Sequence, residues 1–289
     1  MSIALTCGNL TKKYGQTYAL CNLDLQLEEN VIYGLLGRNG AGKTTLLNTI
    51  AGGISPNCGS IEVRGKKLGK GELPENFCFV RENSKHFGGG RIIEVLKFAA
   101  NFHPNWDWTF ALELLKTFRL DPDKKIRQLS RGTESLVGNI VGLASRAPLT
   151  LFDEPVLGLD VLMREQFYKA LLEDCADHPR TIVLSTHLID EIAPVAERVY
   201  IIEAGSILLH DEMDHIRVAV HLIRGNSEAV ASFTAGKRVL HRESYGHGTL
   251  AAIYEKLNDG DRQLAREMNI SIEPLSLQPF FSYLIRGGH

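Results

Sequence analysis

Hydrophobic and polar positions change their period along the chain, and each period predicts a kind of element. In LCNLDLQLEEN, leucines at 20, 23, 25 and 27 are interleaved with polar residues, the pattern of a half-buried strand in an antiparallel sheet. VIYGLL is continuously apolar and reads as a buried strand, while KTTLLNTIAGG beyond it reads as a helix closed by glycines. SIEVRGKKL and FCFVRE supply further strands. From Arg91 to about Arg146 the period turns helical, through RIIEVLKFAANF, FALELLKTF and ESLVGNIVGLAS. Strands return at LTLFDEP and TIVLSTH, on either side of the helical VLMREQFYKALLEDCA. That alternation predicts a mostly parallel sheet with helices on its faces. RVYIIEAGSILLHD is expected to form a hairpin turning at Ala204-Gly205, and no internal repeat or low-complexity linker interrupts the pattern.

Composition narrows the function classes. The chain has 289 residues, 44% hydrophobic and 23% charged, ordinary for a globular protein. A formal net charge of -2 supplies no global basic field, so no nucleic-acid partner is expected. No apolar run approaches a membrane span, and MSIALTCGNLTKKYG lacks the plan of a signal peptide, so a cytoplasmic location is expected. Cysteines at 7, 21, 58, 78 and 175 share no CxxC spacing, which favours reduced, mostly buried thiols over disulfides or a zinc site.

The chemistry begins where the buried strand meets the helix. Gly37-Arg38-Asn39-Gly40-Ala41-Gly42-Lys43-Thr44 fits G-x-x-x-x-G-K-[ST]. Glycines let backbone N–H groups turn inward around phosphate oxygens, and the helix that follows aims its positive end at the same anion. Lys43 can reach the β- and γ-phosphates, and the Thr44 hydroxyl can ligate Mg²⁺, with Thr45 next in the loop-proximal turn. A glycine-rich turn matching by accident is the alternative, and the flanking strand and helix weigh against it. Hydrolysis also needs an acid for Mg²⁺ and a base for water. LTLFDEP places Asp153 and Glu154 at the carboxyl edge of the sheet, where ligands of open α/β sheets bind. Asp153 is expected to hold Mg²⁺ through water and Glu154 to polarise the attacking water; without the phosphate loop the two would read as solvated acids.

Over roughly residues 2 to 217 these segments resemble the ATP-binding cassette family, the ATPase subunits of ABC transporters. LSRGT, from Leu129 to Thr133, is similar to the signature motif, GLD at 158–160 to the D-loop, and STH to the switch histidine, His187. Tyr14 in KKYG matches the aromatic residue that stacks on adenine. The resemblance implies a head-to-tail dimer with ATP held between one chain's phosphate loop and the other's signature. Ser130 and Gly132 would then face the partner's γ-phosphate, His187 would steady that phosphate and the water, and Asp160 would couple the two sites. It further implies an α/β fold with a P-loop NTPase core and mostly parallel sheet, an antiparallel β subdomain, and a helical subdomain over about 88–146. A small C-terminal α/β domain is expected over 218–289, after a cassette domain over 1–217.

The pattern has departures. Arg131 and Thr133 stand where the signature has Gly and Gln, and Glu82 in FCFVRE stands where the family generally has the Q-loop glutamine. As a carboxylate Glu82 can serve as a third metal ligand, or be merely solvated if the loop register differs. FHPNWDWTFALELLKTFRLDPDKKIRQLSRG is similar to the ATPases of bacitracin and lantibiotic exporters, which points to export. His103, Trp106 and Trp108 are read either as a cap on the helical subdomain's own core or as a contact for a membrane subunit. His241 and His247 lack a third ligand and read as an ordinary loop. The implied partners are membrane-spanning permease subunits and a second cassette, identical or not, with the chain held peripherally on the inner face of the membrane. The rival is a soluble cassette ATPase acting on DNA or ribosomes; such proteins carry long coiled-coil insertions, zinc hooks or paired cassettes, and none is visible in this sequence.

Overall fold

The computed structural model describes residues 2–69, 71–82, 89–246 and 248–287. The chain divides into two compact units, Met1–His187 with Tyr200–Leu209 and Leu188–Val199 with His210–His289.

The first unit holds two sheets. In the antiparallel one the strand order is Thr17–Glu28, Ile3–Tyr14, Cys58–Val63, Lys66–Lys67. Leu20, Leu23, Leu25 and Leu27 are all buried, although 20 and 23 are out of step with a period of two. The reason is a bulge. Leu10 pairs with Leu23 and Lys12 with Leu20, so one strand carries an extra residue, and Asn22 takes it up at φ 45°. SIEVRGKKL is not one strand, because Arg64 (φ 48°) and Gly65 (φ 79°) turn the chain between Val63 and Lys66.

The larger sheet runs Ser206–Glu212, Arg198–Glu203, Ile32–Leu36, Thr181–Thr186, Leu149–Asp153, Phe77–Val80. Its four central and distal strands from Ile32–Leu36 to Phe77–Val80 are parallel, with Leu36 opposite Thr186 and Asp153 opposite Ser185. The carboxyl ends of these strands therefore come out at one edge, and each next residue along the chain is delivered there. The helix Lys43–Ile50 buries Leu46, Leu47 and Ile50 in an apolar cluster shared with Leu5, Leu20, Leu35 and Leu151 from both sheets. Residues with helical periodicity form Ile92–Ala100, Trp108–Thr117 and Arg131–Ala144. Gly88, where the helical stretch was expected to begin, lies outside the described residues.

In the second unit the chain runs strand Val220–Asn226, helix Ser227–Phe233, strands Val239–Tyr245 and Gly248–Tyr254, helix Asp259–Glu267 and strand Ser271–Pro274. Spatially the first of these strands lies between the third and fourth, with antiparallel pairing throughout, which is the split β-α-β arrangement. Ile223, Val230, Phe233, Ala251, Ile253 and Ala265 form its core. A last helix, Leu277–Gly287, packs on the strand Val239–Tyr245, where the rings of Tyr283 and His241 stack at 4.2 Å. His247 lies outside the described residues.

Candidate active site

The phosphate loop leaves the buried strand Ile32–Leu36 and enters its helix through Gly42, at φ 113°. A Cβ at Gly42 would sit 2.5 Å from the Ala19 carbonyl oxygen, so only glycine fits. Lys43 is buried. Its ammonium donates to the Gly37 carbonyl at 2.7 Å and stands 3.4 Å from Glu154 Oε1.

Asp153 ends its strand fully inside the fold. Ser185 Oγ, from the neighbouring strand, donates to its carboxylate at 2.9 Å, and the Thr44 side chain bonds it from the first turn of the helix Lys43–Ile50. Burial pushes the Asp153 carboxyl above its usual range, while the bonds from Ser185 and Thr44 oppose that rise. Glu154 turns out of the strand at φ 51°, a conformation side chains rarely adopt, with its N–H bonded to the Ser185 carbonyl at 2.9 Å. That turn aims its carboxylate between Lys43 and His187, whose Nδ1 lies 3.0 Å from Oε2 and 3.1 Å from Oε1. With Nδ1 facing the carboxylate, Nε2 is the ring nitrogen left for another contact.

A cavity of about 430 Å³ opens over these groups, lined by the loop from Arg38 to Gly40 with Lys43, Thr44, Thr45, Glu82, Glu154 and His187. Its donor set suits Mg²⁺. Thr44 and Asp153 offer hard oxygens already in contact, and no group of three His, Cys, Asp or Glu among the described residues could cage a metal unaided. Mg²⁺ takes one or two protein oxygens and completes its octahedron from phosphates and water.

Of the predicted site residues, Gly37, Ala41, Asp153, Ser130, Gly132, Asp160 and Tyr14 are not among the described residues that line the cavity. Ser130 caps the helix Arg131–Ala144, accepting from Thr133 N at 3.2 Å. Gly132 lies against the GLD segment of its own chain, where an added Cβ would meet the Gly158 carbonyl at 2.5 Å. Asp160 is exposed and caps the helix Val161–Asp177 through Met163 N at 2.9 Å. Tyr14 is 50% exposed at the end of its strand, with Lys12 Nζ 5.1 Å from the ring centroid. Glu82 reaches the cavity but is bound by Arg131 at 2.8 Å. In the helical stretch, the rings of His103, Trp106 and Trp108 pack successively against one another, with burial lowering the His103 pKa. Sequence reasoning passed over Ser185 as a partner for Asp153; its signal was the place opposite Asp153 in a parallel register.

The ABC transporter family profile matches residues 20–157. The uncharacterized ABC transporter ATP-binding protein MJ1023 of Methanocaldococcus jannaschii is 32% identical over 213 residues, covering 72% of this chain and 77% of that protein. The chain belongs to the ABC transporter ATP-binding proteins. This cassette is also 29% identical over 231 residues to the bacitracin transport ATP-binding protein BcrA of Bacillus licheniformis, covering 75% of the chain and 72% of the relative. Among solved structures it is similar to the dimeric ATP-binding cassette MJ0796 in a post-hydrolysis state bound to ADP and Pi. That likeness has a TM-score of 0.62 at 25% identity and covers 72% of this cassette and 98% of the other. The cassette is an ABC transporter ATP-binding subunit with the α/β fold of that ATPase family.

Proposed function

We propose that the cassette hydrolyses ATP between two head-to-tail subunits and so drives export through separate membrane-spanning permeases, on the inner face of the membrane. The observation that carries this reading is the convergence of Lys43, Thr44, Glu154 and His187 around one cavity, with the buried Asp153 bonded to Thr44 and Ser185 beside it. The loop amides from Gly37 to Gly42, with Lys43, Thr44 and Thr45, hold the phosphates, and Tyr14 offers its exposed ring to the adenine. Thr44 and Asp153 would hold Mg²⁺, with Glu82 as a third oxygen donor on the rim. When bound, the ion neutralises charge on the β- and γ-phosphates.

Glu154 acts as the base. Its carboxylate is shared between Lys43 and His187; a phosphate that draws Lys43 away leaves it one charge partner fewer and free to accept a proton from water. His187 holds it in direction from the other side. Ser130 and Gly132 present a helix N-terminus to the γ-phosphate of the opposite chain, and Asp160 stands at the start of the next helix to couple the two sites. Export is supported by the kinship with a bacitracin transport protein.

Glu154→Gln with ATP and Mg²⁺ is expected to trap a dimer on size exclusion, and to lower turnover by about 10²–10⁴ while nucleotide binding persists. Ser130→Arg should block the dimer and spare nucleotide binding. Activity per chain should rise with protein concentration until dimers dominate. A concentration-independent rate from a species that scatters light as a monomer would overturn the two-chain mechanism.

A further inference from the structure

The two charged departures from the cassette pattern meet each other. Arg131 Nη2 donates to Glu82 Oε1 at 2.8 Å, across 49 residues of sequence. Glu82 follows the edge strand Phe77–Val80 and lines the phosphate cavity. Arg131 is the first residue of the helix that Ser130 caps. Each described acidic residue that lines the cavity thus has its own partner: Lys43 and His187 for Glu154, Arg131 for Glu82.

A carboxylate on the rim of a phosphate site is unfavourable unless a cation attends it, because the ligand brings further negative charge. Arg131 is that cation in the structure. The metal that accompanies the nucleotide is a second candidate, and Glu82 is an oxygen donor on the same cavity. We infer that Arg131 and the nucleotide-borne metal compete for Glu82, which couples metal binding in the cavity to the anchoring of the signature turn within one chain. The inference rests on the Mg²⁺–nucleotide reading of the cavity. Arg131 is then a positioning residue. While it holds Glu82, the first turn of its helix is tied to the cavity rim. Once the metal takes Glu82, the guanidinium is released beside Ser130 and Gly132 and adds a positive charge to a helix end that faces an anion. The exchange is feasible because the pair is weak: the side chains are 31% and 67% exposed, and exposed ion pairs contribute little. By reciprocity, whatever factor the pair takes from metal affinity, the metal takes from the pair.

The test is a Mn²⁺ titration read by electron paramagnetic resonance, on the full chain with a non-hydrolysable ATP analogue at low salt. Arg131→Gln is expected to tighten Mn²⁺ binding about two- to five-fold. Arg131→Lys, which keeps the charge, should stay near the parent. In a Glu82→Gln background the same Arg131→Gln change should give less than half of that tightening, since the cycle removes the general effect of deleting a charge. Raising the salt should shrink the difference. Equal shifts in both backgrounds, or superimposable titrations of parent and Arg131→Gln, would overturn the competition. A parent chain that binds the analogue with no Mn²⁺ would instead sink the metal reading on which it rests.

Discussion

Glu154 shows how one residue's backbone decides what its side chain can reach. Its φ of 51° breaks the strand that Asp153 still obeys, so two adjacent carboxylates face different partners, Ser185 and Thr44 for one, Lys43 and His187 for the other. Such local strain costs of order 1–3 kcal/mol and persists where the surroundings fix it. Tyr14 is the converse case, a ring that the fold leaves half exposed instead of packing it. If it is the adenine platform, Tyr14→Ala should weaken ATP binding by about 1–3 kcal/mol in calorimetry and spare the phosphate chemistry. Unchanged affinity would remove it from the site. At this scale the sequence was most legible where chemistry is contiguous. The loop from Gly37 to Thr44 announces itself in eight residues. The tie between Glu82 and Arg131 does not, because nothing local tells two residues 49 positions apart that they will meet.

Elements were legible in proportion to their regularity. The buried parallel strands and the helix Arg131–Ala144 follow from unbroken apolar or helical periods. The strand Ile3–Tyr14 was not singled out, and the reason is physical: its register shifts repeatedly against Thr17–Glu28, and Asn9 at φ 48° breaks the alternation that would have marked it. Gly132 belongs to this scale too. The resemblance gives it a place before a partner's phosphate, while the fold gives it a second constraint, contact with the Gly158 carbonyl. Gly132→Ala should therefore destabilise the isolated chain by about 1–3 kcal/mol in denaturant melts, before any dimer forms. A wild-type midpoint would mean that the signature turn can move off the GLD segment at no cost.

For the whole molecule, no described helix is long and apolar enough to cross a membrane. The second unit has its own sensitivity to acid. His221 is buried in the strand Val220–Asn226, and burial first, then the Arg262 charge, lowers its pKa, against a backbone bond at Val218. The folded unit thus keeps the ring neutral below the point, near 6.5, where an unfolded chain takes up a proton. Stability is retained above that value and lost as pH falls through it. His221→Gln should flatten the decline of the unfolding midpoint between neutral and mildly acid pH; parallel curves would assign the acid response elsewhere. The division of the chain into Met1–His187 with Tyr200–Leu209, and Leu188–Val199 with His210–His289, has a further consequence for biosynthesis. A ribosome delivers Ile189, Ile192 and Val195, all buried in the finished protein, well before the Leu277–Gly287 helix that packs on the short helix Ile189–Ile192. Until roughly the last twentieth of the chain emerges, that apolar stretch lacks this helix, directly after the histidine bonded to Glu154, and a nascent cassette therefore has a period in which the groups around Glu154 can assemble while the segment joined to them is still open to chaperones.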